Sequence, residues 1–86
     1  MLTVYGAAWC PHCTQTVSYL KQKKIDFTYV DIESAPDDVV QQVIEVNGGD
    51  DWVVPTLEND GKWRRGKVFS RRDIDSDLKA LGLKLE

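Results

Sequence analysis

The fold is decided by Leu2-Thr3-Val4-Tyr5-Gly6-Ala7-Ala8-Trp9-Cys10-Pro11-His12-Cys13, near the start of the chain. Residues 2–5 are apolar or β-favouring and predict a buried strand, and residues 6–9 predict a loop. Pro11 suits the first position of a helix, because its ring fixes φ and its missing N–H would have no helical partner there. The stretch therefore predicts a strand, a loop and a helix, with Cys10 at or beside the helix N-cap.

Cys10 and Cys13 are the only cysteines among the 86 residues. Two cysteines at this spacing in a first helical turn can form or break a disulfide with little movement of the backbone. A thiol at a helix N-terminus meets unpaired N–H groups and the helix dipole, and such thiols have pKa values of roughly 3.5–7.5. Cys13 lies one turn further along the apolar face and is expected to be more buried. The pair therefore predicts thiol–disulfide exchange, with Cys10 as the attacking thiol and Cys13 as the resolving thiol.

Other roles for the cysteine pair fit less well. A structural disulfide here would close too short a loop to remove much entropy from the unfolded chain. A zinc site needs four ligands, and His12, the only histidine, is poorly spaced to join the thiols, so no metal site is expected. Two chains together could supply the four ligands of an iron–sulfur cluster, and this alternative stays open.

Pro11 and His12 lie between the cysteines and are expected to tune the reactivity of the pair. As a cation or a hydrogen-bond donor, His12 would stabilise the Cys10 thiolate. The alternative is that His12 is an exposed spacer without contact to Cys10.

The rest of the sequence predicts further strands and helices. They are a strand from Ile25 to Ile32, a helix from Ser34-Ala35-Pro36 to Asn47-Gly48-Gly49, a strand from Trp52 to Leu57 interrupted at Pro55, a strand from about Lys62 and a helix that ends at Gly82. Asn59-Asp60-Gly61 predicts a hairpin turn, and Ser70 with Asp73 resembles a capping box. The order β-α-β-α-β-β-α predicts an α/β fold with a four-stranded mixed sheet flanked by three helices, as one domain over residues 1–86.

The composition is that of an ordinary globular protein, with 42% hydrophobic residues, 29% charged residues and a net charge of −3. This charge argues against nucleic acid as the main partner, and the apolar runs are too short to cross a membrane. Because a strand begins at Leu2, we expect no signal segment before it and a cytoplasmic location.

Residues 62–72 hold six basic and no acidic side chains, which either steer an anionic thiol or form a solvated surface.

The motif Cys10-Pro11-His12-Cys13 after the first strand and Val53-Val54-Pro55-Thr56 at the third strand resemble the glutaredoxins of the thioredoxin superfamily. The resemblance covers essentially the full length. It implies a thioredoxin-like fold and an enzyme that reduces protein or mixed disulfides with electrons from glutathione and without a bound cofactor. It also implies that Pro55 has a cis peptide bond and faces Cys10, and that the backbone of Val54 pairs with the substrate. Proline is the residue for which a cis bond costs least.

The chain also departs from the usual glutaredoxin pattern. Glutaredoxins usually carry two glycines after the fourth strand, then a polar helix start that holds a glutathione carboxylate. This chain has one glycine there, Gly66, and the matching helix start is Ser70-Arg71, which we expect to bind glutathione.

Trp9 is typical of thioredoxins and is expected to line the substrate-docking surface. Asn47-Gly48-Gly49 is similar to mycoredoxins and to the small redoxins of ribonucleotide reductase, so a redoxin supplied by thioredoxin reductase is an alternative. One chain holds both sulfurs, so we expect a monomer.

Overall fold

The computed structural model describes residues 1–84. Within them the elements follow the predicted order: β1 (Leu2–Gly6), α1 (Pro11–Gln22), β2 (Phe27–Asp31), α2 (Asp37–Val46), β3 (Thr56–Asn59), β4 (Lys62–Arg64) and α3 (Arg71–Ala80). The sheet has the strand order β2-β1-β3-β4, with β1 parallel to β2 and antiparallel to β3, and β4 antiparallel to β3. The predicted mixed sheet and its three helices are confirmed over this range.

The central strand β1 alternates its side chains between the two faces of the sheet. Leu2 and Val4 are fully buried. Tyr5, which points to the opposite face, stacks on Trp63 of β4 with 5.6 Å between the ring centroids. Because β1 lies inside the sheet, the loop that follows it leaves from the middle of the sheet edge, and this loop leads to Cys10.

The end of α1 explains why β2 is shorter than predicted. Lys24 takes a left-handed conformation with φ of 58°, and its N–H donates to the Lys21 carbonyl at 3.1 Å. The N–H of Ile25 donates to the Leu20 carbonyl at 3.0 Å, which completes a Schellman motif. Ile25 is therefore part of the helix cap rather than the strand.

No helix within residues 1–84 is long and apolar enough to cross a membrane.

The segment 52–55, which we call the docking loop, is not the strand that the sequence predicts. β3 begins only at Thr56, and the Val54–Pro55 peptide bond before it is cis. Proline offers no N–H to a strand ladder. The Val53 carbonyl accepts a hydrogen bond from the Thr56 hydroxyl at 2.6 Å, instead of one from a neighbouring strand. The predicted strand is therefore wrong over residues 52–55.

The predicted hairpin between β3 and β4 is confirmed. Asn59 pairs with Lys62, and the two residues between them, Asp60 and Gly61, have φ of 50° and 84°. Positive φ at both central positions is typical of a type I′ turn, whose twist matches that of the flanking strands.

The predicted capping box at α3 is wrong. Ser70 is the N-cap residue, but its hydroxyl makes no capping hydrogen bond. The N–H groups of Asp73 and Ile74 donate instead to the Ser70 carbonyl, at 3.2 and 2.9 Å. A capping box uses Glu or Gln at the third helical position, and Asp73 is one methylene shorter than Glu.

The buried side chains form two clusters. The first, which we call the aliphatic core, joins β1 and β3 to α1 and α3 and consists of Leu2, Val4, Tyr19, Leu20, Leu57, Ile74, Leu78 and Leu81. The second, which we call the cysteine core, lies beyond the carboxyl end of β1 and consists of Ala7, Cys10, Cys13, Ile32 and Val43, with half-buried aromatic and valine side chains around them. Both cysteines thus belong to the second core.

Candidate active site

Cys10 is the N-cap residue of α1, as predicted. Its backbone is extended, Pro11 follows at the first helical position, and the Cys10 carbonyl accepts the N–H of Thr14 at 3.1 Å. The N–H of Cys10 donates to the Ala7 carbonyl, also at 3.1 Å, so the loop after β1 is fixed at both of its ends. The residue is 6% exposed. The thiol therefore lies where the unpaired N–H groups of α1 stabilise a negative charge.

The docking loop lies directly beside Cys10. The Cys10 thiol contacts the Val54 carbonyl, with 3.9 Å between sulfur and oxygen, and the cis peptide bond to buried Pro55 follows. No acceptor among residues 1–84 takes the Val54 N–H. The fold thus brings together a thiol and a stretch of backbone with an unused hydrogen-bond donor, two features that the sequence separates by 44 positions.

Cys13 is more deeply buried than Cys10, as predicted, at 2% exposure. Burial raises the pKa of the Cys13 thiol to about 12. The neighbouring Cys10 thiol adds to this increase, whereas a hydrogen bond from the backbone of Ala7 opposes it. Both cysteines are free thiols. At neutral pH Cys13 is therefore a protonated thiol one helical turn from Cys10.

Gly6 lies so close to Cys13 and Tyr29 that a side chain there would require its neighbours to shift. A Cβ on Gly6 would lie 3.0 Å from the Tyr29 hydroxyl and 3.2 Å from the Cys13 sulfur. Burial, together with the nearby Cys13 thiol, raises the pKa of Tyr29. Sequence reasoning missed Gly6 and Tyr29, because their proximity to Cys13 depends on the pairing of β1 with β2.

His12 does not make the contact that the sequence predicts. Its Nδ1 accepts a hydrogen bond from the backbone N–H of Phe69 at 3.1 Å, so this nitrogen is bonded to the loop before α3 and not to the Cys10 thiol. The ring is half-buried, so His12 is anchored by Phe69 rather than fully exposed. The hydrogen bond brings the loop before α3, and with it Ser70 and Arg71, to the start of α1.

Trp9 forms an exposed aromatic edge next to Cys10. Its side chain is 61% exposed, and its indole N–H donates to a carboxylate oxygen of Glu33 at 2.9 Å. The centroids of the Trp9 and Trp52 rings are 6.5 Å apart, with an interplanar angle of 46°. Val53 of the docking loop is also exposed. An apolar surface therefore flanks the thiol on the side of the docking loop.

The basic run at residues 62–72 is mostly exposed, as the solvated-surface alternative expects, but three of its six cations, Arg64, Arg65 and Lys67, bind protein partners. Arg64 is buried, and its Nε donates to Asp77 at 2.8 Å, while Lys67 reaches the same carboxylate oxygen at 2.9 Å. Burial alone would raise the pKa of Asp77, but its bonds to Lys67 and Arg64 outweigh this effect and lower the pKa below its ordinary value. Arg65 donates to the Val46 carbonyl. Arg71 remains exposed, with its guanidinium 6.0 Å from the centroid of the Tyr19 ring.

A family model described as glutaredoxin matches residues 2–63 of the sequence. The chain belongs to the glutaredoxin family. Membership of this family supports thiol–disulfide oxidoreductase activity and agrees with the geometry of the two cysteines. Within residues 1–84, no three His, Cys, Asp or Glu side chains are grouped so that they could hold a metal ion.

Solved structures share the glutaredoxin fold at low sequence identity. The glutaredoxin grx-1 from Archaeoglobus fulgidus is 24% identical over 87% of this chain and 82% of that one, with a TM-score of 0.68. A variant of the thioredoxin-like protein BC3987 is 19% identical over 96% of both chains, with a TM-score of 0.70. Wheat glutaredoxin is 21% identical over 92% of this chain and 70% of its own, with a TM-score of 0.61. These similarities establish the thioredoxin-like fold. A search of curated protein sequences gives no significant match.

Proposed function

We propose that the chain is a dithiol glutaredoxin that reduces protein disulfides and mixed disulfides through Cys10 and Cys13, with glutathione as its electron donor. The observation that carries this proposal is the contact of the Cys10 thiol, at the N-cap of α1, with the carbonyl of Val54 in the docking loop. The reaction needs no bound cofactor. One chain supplies both sulfurs, so the protein acts as a monomer.

The substrate binds as an extended segment along the docking loop. The Val54 N–H has no acceptor among the described residues, and its carbonyl has only the long contact to the thiol. A peptide that runs beside Val54 gains backbone hydrogen bonds of the kind formed when a strand is added to a sheet edge. Exposed Trp9 and Val53 offer apolar contact to the side chains of that peptide.

The first chemical step is attack by the Cys10 thiolate on a sulfur of the substrate disulfide. A new disulfide forms between Cys10 and that sulfur, the substrate disulfide breaks, and the second substrate sulfur leaves as a thiolate that takes a proton from water. The N-terminus of α1 stabilises the attacking thiolate, because its N–H groups and dipole favour negative charge.

Two routes resolve the mixed disulfide. In the first, Cys13 gives its proton to water and attacks the Cys10 sulfur, so that the substrate leaves as a thiol and a Cys10–Cys13 disulfide forms. Two glutathione molecules then reduce this disulfide and leave as glutathione disulfide, having supplied two electrons. In the second, a glutathione thiolate attacks the substrate sulfur of the mixed disulfide, so that the bond to Cys10 breaks, Cys10 leaves as a thiolate and a disulfide forms between glutathione and the substrate sulfur; when that sulfur belongs to glutathione, the product is glutathione disulfide. Because burial raises the pKa of Cys13 to about 12, its thiolate is scarce at neutral pH, and the second route competes.

Glutathione is expected to bind at the start of α3. The hydrogen bond from Phe69 to His12 holds this helix start next to α1, and Arg71 is exposed there. Arginine and a helix N-terminus both favour a carboxylate. Arg72, the next residue, is equally exposed and serves as a matched control.

The test is a mixed-disulfide reduction assay with two electron sources, glutathione plus glutathione reductase and thioredoxin reductase alone. We expect turnover with glutathione that is lost in Cys10→Ser and partly retained in Cys13→Ser. Arg71→Ala is expected to raise the KM for glutathione by about two- to fivefold, as follows from the loss of a solvent-exposed ion pair worth about 0.5–1 kcal/mol, and Arg72→Ala is expected to leave it unchanged. Turnover only with thioredoxin reductase would contradict the choice of donor. No turnover with either source, in folded protein, would contradict the proposed activity and favour a cluster shared by two chains.

A further inference from the structure

One amide side chain connects the segments that surround the docking loop. Asn47 follows the last residue of α2 as its C-cap and is half-buried. Its Nδ2 donates to the Val43 carbonyl at 2.8 Å and to the Thr56 hydroxyl at 3.0 Å, while its Oδ1 accepts the N–H of Gly66 at 2.8 Å. Both donors of the amide and its carbonyl are therefore used, and they join α2, β3 and the loop after β4.

Thr56 connects Asn47 to the docking loop through two hydrogen bonds of its hydroxyl. Its hydroxyl accepts a hydrogen bond from Asn47 and donates one to the Val53 carbonyl at 2.6 Å. Thr56 is fully buried, so its hydroxyl depends on these two partners. The bond occupies the carbonyl of Val53 and leaves the backbone groups of the next residue, Val54, for a substrate.

Gly66 packs directly against Val53 of the same loop. A Cβ on Gly66 would lie 2.5 Å from Cγ1 of Val53 and 2.8 Å from its carbonyl carbon, which is closer than packed atoms approach. Only a residue without a side chain fits against Val53 in this way. Because the Gly66 N–H is bonded to Asn47, the amide controls both the position of Gly66 and, through Thr56, the position of the Val53 carbonyl.

We propose that Asn47 is a positioning residue for substrate docking: through Thr56 and Gly66 it holds Val53–Pro55 where the backbone of Val54 can pair with a peptide next to Cys10. This inference rests on the proposed function. Asn47 contacts no reacting atom, so its contribution is limited to the binding of disulfides that carry a peptide backbone. The nucleophilicity of Cys10, set by the start of α1, is independent of it.

A purely structural role for Asn47 makes a different prediction. As the cap of α2, Asn47 would stabilise the fold, and its loss would lower the free energy of unfolding without a change in KM. The two roles are separated by the KM for a peptide disulfide, measured under conditions in which circular dichroism shows the variants to be folded.

The test uses Asn47→Ala and Thr56→Val, with Thr56→Ser as the conservative variant that keeps the hydroxyl and Gln41→Ala as an exposed amide control on α2. We expect Asn47→Ala and Thr56→Val to raise the KM for a glutathionylated peptide by about tenfold, as follows from the loss of a buried hydrogen-bond network. Thr56→Ser and Gln41→Ala are expected to behave like the wild type. The rate at which iodoacetamide alkylates Cys10 is expected to stay within about twofold in all four variants, since this small reagent needs no docking.

Wild-type turnover with an unchanged KM in the two disruptive variants would overturn the inference and leave the proposed function intact. An equal loss in the alkylation rate would also overturn it, because the effect would then lie on Cys10 itself. Absence of turnover in the folded wild type would overturn the proposed function, and the inference with it. If Asn47→Ala does not fold, Thr56→Val and Thr56→Ser provide the same comparison.

Discussion

The aliphatic core and the cysteine core differ in how they are held together. The aliphatic core contains five fully buried leucine or isoleucine side chains from β1, β3, α1 and α3, namely Leu2, Leu20, Leu57, Ile74 and Leu78. The cysteine core has only two buried branched aliphatic side chains, Ile32 and Val43, beside Ala7 and the two cysteines. Beside it, the docking loop is held by the hydrogen bonds of Asn47 and Thr56.

Because of this difference, we expect stability to depend mainly on the aliphatic core and activity mainly on the cysteine core and the docking loop. Burying one leucine or isoleucine contributes about 1.5–3 kcal/mol, whereas one hydrogen bond contributes a net of about 0.5–1.5 kcal/mol. The aliphatic core therefore supplies most of the stabilisation. The cysteine core provides the Cys10 thiol next to a backbone segment held in one position by hydrogen bonds. Substitutions in the two regions are expected to affect different observables.

The largest expected effect is the loss of activity in Cys10→Ser. Serine is a far weaker nucleophile than a thiolate, so kcat/KM for a mixed disulfide is expected to fall more than about a thousandfold. The free energy of unfolding, measured by urea titration, is expected to change by no more than about 1 kcal/mol. Cys13→Ser is the control and is expected to keep part of the activity. Substantial turnover in Cys10→Ser would place the attacking thiol elsewhere.

Leu57→Ala, in the aliphatic core, is expected to lower stability and to leave the reactivity of Cys10 unchanged. Leu57 is fully buried, and the cavity left by its removal is expected to lower the free energy of unfolding by about 2–5 kcal/mol. The folded fraction is expected to keep the wild-type rate of Cys10 alkylation by iodoacetamide. A large change in that rate would show that the two cores are coupled, contrary to our account.

Asp77→Asn tests the buried ion pair between β4 and α3. Because Arg64 is buried, the loss of the carboxylate is expected to cost about 1–3 kcal/mol of stability at pH 7. The lowered pKa of Asp77 means that its contribution is present above the ordinary carboxylate range of about 4 and is lost as pH falls through the native pKa. The difference between wild type and variant is therefore expected to shrink in acid. Asp73→Asn, at an exposed position on α3, is the control, and an equal effect in both variants would contradict the ion pair's role.

The last prediction concerns the resolving step. Burial raises the pKa of Cys13 to about 12, so its thiolate fraction increases with pH throughout the neutral range. With a preformed mixed disulfide on Cys10, the rate of resolution by Cys13 is expected to rise about tenfold per pH unit between roughly pH 7 and 9, measured by stopped flow. A plateau near pH 8 would show that Cys13 is less buried during the reaction than in the structure.

Local signals in the sequence predicted the part of the fold that carries the cysteines. Pro11 and the cysteine spacing determine the start of α1, and Asp60-Gly61 determines the hairpin, because each depends on conformations available within a few residues. The strand predicted from Trp52 was wrong, because those residues fit a strand pattern while Val53 bonds instead to Thr56.

The remaining site residues depend on contacts between distant segments. Tyr29 and Cys13 approach Gly6 only in the folded sheet, and Asn47 meets Gly66 only when the sheet is formed. Arg64 belongs to a basic run that looks solvated, but its position opposite Leu57 in the sheet brings it to Asp77. No local pattern encodes these contacts.

The central claim is that Cys10 attacks and Cys13 resolves. The most direct measurement adds a glutathionylated peptide to reduced wild-type protein, quenches the reaction with acid at intervals and maps the disulfides by mass spectrometry. Our account predicts an early adduct on Cys10, with Cys13 still a thiol, followed by a Cys10–Cys13 disulfide. An early adduct on Cys13, or no adduct on either cysteine, would contradict it.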